Sequence, residues 1–174
     1  MPVQIVPQLT ALAQPFADVY ADSKVLVIAT TLLHLGGLLI GGGTAITTDR
    51  AILRVALTNG GAQRQVLTEV AATHKFVITA LAFIVISGLM FLAADVKTFL
   101  LSPVYWSKMG VVTLLLINGF RLRNVEGKLT VATAIAHDDV AVPAALWNSL
   151  RAGAVTSIAA WFTILVLGVV LASS

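Results

Sequence analysis

Residues 25–46 read VLVIATTLLHLGGLLIGGGTAI, 22 positions without a charge and with one histidine, His34, among them. An apolar run of about 20 residues is long enough to cross the hydrocarbon of a bilayer as a helix. Three more uncharged or nearly uncharged runs follow, at 76–94, 104–120 and 152–172, the second of these interrupted only by Lys108. With 58% hydrophobic and 11% charged residues in 174, the chain is too short to hide its apolar surface from water, since soluble domains carry about 25% charged residues. The expected fold is therefore all-α: an integral membrane four-helix transmembrane bundle in one domain, 1–174, with the bilayer as its solvent.

The connections are legible from helix signals. Pro2, Pro7 and Pro15 argue against one continuous helix before the first span, although Ile5, Val6, Leu9 and Leu12 could lie on a membrane surface. Asp22 or Ser23 can cap the first span. Ala51, Ile52, Leu53, Val55 and Leu57, set among Asp49, Arg50 and Arg54, predict an amphipathic extension out of the first span up to a break at Asn59-Gly60-Gly61. A second amphipathic stretch, 63–74, leads into span two, and Ser102-Pro103 is a start signal for span three. Residues 124–141 read as the longest exposed loop, and Pro143 can start the last helix.

The absence of cysteine excludes disulfides, thiolate metal sites, iron–sulfur clusters and cysteine nucleophiles. No phosphate loop, nucleophile–base set or acidic residue lies within a span, which disfavours coupling to an intramembrane carboxylate. The net charge of +3 comes from few groups, so it reads as a topology signal and not as a nucleic-acid patch. Arg50, Arg54, Arg64, Lys75, Arg121, Arg123, Lys128 and Arg151 fall on one side of the four spans; Lys24 and Lys97 fall on the other, with Lys108 at its boundary. That bias puts loops 47–75 and 121–151 in the cytoplasm and both termini outside.

His34 lies near mid-bilayer on this layout, and an intramembrane ionisable residue is a functional candidate by default. Gly37 and Gly41 share its helix face, and Gly36, Gly42 and Gly43 remove further side chains. One reading is close helix packing, with His34 hydrogen-bonded to a neighbour. The other is a gap for a flat cofactor, with His34 as the axial ligand of a haem iron and Gly88 of span two admitting the ring. A proton relay is a third. Lys108 either snorkels toward the headgroups beside Tyr105 and Trp106 or reaches a propionate or polar substrate near the His34 level. His74 lies too far from His34 along the membrane normal to share one iron, so it is a boundary histidine, or a ligand in a second site. Asn118 reads as an interhelical hydrogen-bonding residue, and His137, Asp138 and Asp139 as a solvated run or a weak divalent-cation site.

The segment LLHLGGLLIGGGTAITTDRAILR resembles the first span of a group of small bacterial four-helix membrane proteins of unknown function. ITALAFIVISGLMFLAAD, SPVYWSKMGVVTLLLINGFRLR and RAGAVTSIAAWFTILVLG resemble its other three spans in order. The group is similar in layout to copper-resistance-D-type proteins and to the HemJ-type protoporphyrinogen oxidase, a haem-b bundle. What the resemblance implies is a bacterial inner-membrane protein with haem b as cofactor. His34 would be the metal ligand, Gly37, Gly41, Gly88 and Lys108 would complete the cofactor site, and electron transfer or redox chemistry would be the function. Tyr105 stands where the HemJ-type enzyme has tryptophan, and Val169 where it has a basic residue. A cofactor-free accessory subunit and a porphyrinogen oxidase are the alternatives. Expected partners are the bilayer and other membrane subunits or further copies of the chain, with no nucleic acid.

Overall fold

The computed structural model describes residues 5–55, 61–135 and 144–173, all helical but for single-residue joints. Among the described residues six helices follow one another: α1 (Ile5–Asp22), α2 (Lys24–Val55), α3 (Gly61–Ala94), α4 (Val96–Leu101), α5 (Pro103–Ile135) and α6 (Ala144–Ser173). Three of them, over Lys24–Val55, Gln65–Ala94 and Ala144–Ser173, are long and apolar enough to cross a membrane. α5 was expected as a further span and is outside this set. Lys108, Asn118 and the polar first turns Tyr105–Ser107 dilute its apolar stretch.

The joints are set by small polar residues. Ser23 Oγ accepts the Leu26 N–H at 3.3 Å and opens α2. Asp95 accepts the Thr98 N–H at 3.1 Å and opens α4. Ser102 Oγ accepts the Tyr105 N–H at 3.3 Å, with Pro103 as the first residue of α5. Each side chain satisfies one of the donors that a helix start leaves free.

Two expectations are corrected. The prolines do not break α1: Pro7 occupies its first turn, where no N–H partner exists to lose, and Pro15 is accommodated within it. Residues 124–135 are not loop but the last turns of α5. Leu122, Val125, Glu126 and Leu129 recur at helical spacing, and Leu129 is fully buried. Asn59, Gly60, the rest of the expected loop (136–141) and Pro143 lie outside the described residues.

α2 and α3 are the most intimate pair, followed by α5 with α6 and α2 with α6, whereas α3 and α5 barely meet. At about 1.5 Å per residue, the 32 residues of α2 make a rod of about 48 Å. The α1 and α4 end is here called proximal and the opposite end distal. The distal end has a core of its own: Ile52, Val66, Leu67, Val70, Leu129, Trp147, Leu150 and Ala154. A second cluster, Leu115, Ala160, Trp161 and Ile164, lies toward the middle of the rods.

Candidate functional site

His34 sits half-buried between α2 and α3. Its Nδ1 is 2.9 Å from Ser87 Oγ. Ser87 is itself fully buried, and its hydroxyl donates to the Phe83 carbonyl at 2.6 Å. The same hydroxyl lies 3.1 Å from the Ile84 carbonyl, so one buried serine ties the imidazole to the α3 backbone. Phe91 packs edge-on against the ring at 5.4 Å between centroids. Lys108 lies close enough for its charge to act on the imidazole. Its Nζ approaches α6 at Gly168, 3.6 Å from where a Cβ would be.

The glycines do not surround an open slot. A Cβ on Gly37 would lie 2.8 Å from Ile84 Cγ1 and 3.1 Å from the Ala80 carbonyl oxygen. One on Gly41 would lie 2.8 Å from Ala80 Cβ, and one on Gly42 3.0 Å from the Trp161 indole. The space these residues free is filled by α3 and by Trp161, so they set the approach of helices. Gly88 is different: its missing Cβ would meet His34 Cε1 at 3.8 Å, ordinary contact. Of the residues expected at a haem site, His34 has the chemistry of an axial ligand, Lys108 is its charged neighbour, and Gly37 and Gly41 belong to the packing.

A cavity of about 460 Å³ opens elsewhere, in the distal half where α3 and α5 diverge. Its walls are apolar: Ala45, Val77, Ile78, Leu81, Leu115, Leu116, Phe120 and the buried Trp161. Toward the distal end they give way to a polar belt of Thr48, Asp49, Thr73, His74, Arg123, Glu126 and Ser157. Below the belt, Ile52, Val70 and Leu150 of the distal core close the floor.

The belt is partly self-satisfied. Thr48 and Thr73 hydroxyls lie 3.3 Å apart across α2 and α3. His74 Nδ1 is 3.3 Å from the Val70 carbonyl and 3.8 Å from Glu126 Oε2. Burial pushes the Glu126 carboxyl above its ordinary range, while His74 and Arg123 pull it back. Asp49 is otherwise placed: 5% exposed, with Ser157 of α6 as its polar neighbour and its Oδ2 without a hydrogen-bond partner.

Asp49 and Glu126 were missed as site residues. Each stands among charges near a span end and reads in one dimension as solvated. The available signal was the helical spacing of Asp49 with Ile52, and of Glu126 with Leu122 and Leu129, which sets each acid on an apolar face. His74 was expected as a boundary residue, and it lines the belt. Asn118 was expected to join helices, and its Nδ2 donates to the Gly153 carbonyl at 2.8 Å. Among the described residues no group of three or more His, Asp or Glu could hold a metal ion, and His137, Asp138 and Asp139 lie outside them. No family model, curated protein or solved structure matches the chain.

Proposed function

We propose that this protein is a four-span inner-membrane bundle of α2, α3, α5 and α6 that holds one lipid-soluble amphiphile in its distal cleft. The observation that carries the reading is the cavity itself, lined by apolar side chains and, toward the distal end, by one polar belt. A volume of about 460 Å³ lies in the range of small-molecule sites, about 300–1,000 Å³. Depth agrees. With His34 at mid-bilayer, Asp49 lies four turns further along α2, about 22 Å, beyond the about 15 Å half-thickness of the hydrocarbon. The belt then sits at headgroup level and the apolar walls in hydrocarbon, which is how a membrane amphiphile is itself divided. α5 counts as a span because it packs along α6, and the basic residues at the distal end orient that end to the cytoplasm.

Native mass spectrometry of the protein released from nanodiscs of natural lipid extract tests this. One amphiphile is expected to stay bound after bulk lipid is stripped. Gly119→Leu, which fills the cavity from a position whose Cβ would meet nothing within 4 Å, is expected to remove it without unfolding the protein. A wild-type protein that retains no adduct overturns the reading.

The His34 imidazole, held at Nδ1 by Ser87, favours a second reading, haem b ligated at its other nitrogen with Lys108 serving a propionate. Metal-bound histidines commonly donate their other N–H in this way. Haem would supply a one-electron carrier. An absorption spectrum decides it: a Soret band lost in His34→Ala supports haem, and a colourless protein removes both the haem and the HemJ-type oxidase readings. No adduct together with no colour would leave an accessory subunit packed into a larger assembly.

A further inference from the structure

We infer that the polar head of the cleft's ligand is a primary ammonium, received by Asp49. This rests on the cleft being a ligand site and adds to it the chemistry of the head. The charges in the belt are not equivalent. Glu126 is faced by His74 at 3.8 Å and by Arg123 one turn earlier on its own helix, so its negative charge is answered within the protein. Asp49 lines the same cavity, is 5% exposed, and takes one side-chain hydrogen bond, from Ser157. No salt bridge reaches it among the described residues, and its Oδ2 accepts no hydrogen bond.

A buried carboxylate oxygen without a donor is costly, and a partner arriving from outside would remove that cost. The partner must bring donors and, to balance the carboxylate, a positive charge. It must also carry a chain that fits apolar walls as far as Leu81 and Trp161. An ammonium on a single long chain meets these requirements, and so does the amine of an aminophospholipid with one chain in the cleft. An alkyl carboxylate would set like charge against Asp49, and a plain alcohol would leave its charge unanswered.

The test loads the protein, in phosphatidylcholine nanodiscs, with hexadecylamine, hexadecanol or hexadecanoate, and reads retained adducts by native mass spectrometry. The amine is expected to be retained about tenfold better than the carboxylate, the preference that one close charge pair confers. Asp49→Asn is expected to bring the two to parity. Because this substitution removes an unpaired buried charge, the unliganded variant is expected to melt no lower than the parent. A second arm with phosphatidylethanolamine in the disc identifies the source: retention of that lipid in place of the free amine supports a headgroup amine. Equal retention of amine and carboxylate by the parent protein, or an amine preference that survives Asp49→Asn, overturns the ammonium assignment and leaves the cleft standing. Failure to retain any of the three chains or the lipid overturns both.

Discussion

His34 and Glu126 show how one polar side chain is managed inside an apolar bundle. His34 is hydrogen-bonded to Ser87, whose hydroxyl also reaches the Phe83 carbonyl, so the imidazole is tied to the α3 backbone. Ser87→Ala removes the hydrogen-bonding hydroxyl and is expected to cost about 1 kcal/mol, the usual scale of interhelical hydrogen bonds in membranes, read as a lowered thermal midpoint in detergent. Glu126 gives a pH signature. Desolvation raises its carboxyl above the ordinary value of 4.5, and its neighbours His74 and Arg123 only partly oppose this. A group raised on folding contributes stability that is full below its ordinary value and lost as pH climbs through the raised one. The thermal midpoint is therefore expected to fall as pH rises above 4.5, and Glu126→Gln to flatten that fall.

Among the elements, the α2 and α3 pair depends on which glycines face inward. Gly37 and Gly41 meet Ile84 and Ala80, while a Cβ on Gly36 or Gly43 would meet nothing within 4 Å. Leucine at 37 or 41 must push the helices apart and is expected to cost about 1–3 kcal/mol as overpacking, or more where backbone has to move. Leucine at 36 or 43 is expected to leave the midpoint unchanged. If all four substitutions behaved alike, the inward and outward assignment would fail. The α5 and α6 pair is closed by the same device: a Cβ on Gly153 would lie 2.6 Å from Leu122 Cδ2, and the Gly153 carbonyl takes the Asn118 amide. α1 shows the limit of a local rule. Its prolines lower helix propensity, yet the helix persists with Tyr20 buried and its body in contact with α3 and α4.

For the molecule as a whole, the testable quantity is orientation. The chain has no cysteine, so single replacements report cleanly. In intact cells, a membrane-impermeant maleimide is expected to label Lys97→Cys and Ser173→Cys and to spare Arg54→Cys and Lys128→Cys until the membrane is opened. The reverse pattern would invert the bundle and move the cleft's polar belt to the other leaflet.

The long helices and the start signals at Ser23 and Ser102 were legible along the chain, because apolar run length and capping chemistry are local. The extension of α5 to Ile135 was legible in principle from the spacing of Leu122, Val125 and Leu129, but Gly127 and the small polar residues around it read more strongly as loop. What no one-dimensional pattern contained was the choice of neighbour. Inside an apolar span every face reads alike, so neither the filling of the space beside Gly37 and Gly41 by Ala80, Ile84 and Trp161 nor the divergence of α3 from α5 was written in periodicity. Packing alone settled that Asp49, His74 and Glu126 line one cavity, because they stand on three different helices, α2, α3 and α5, and come together only in the folded chain.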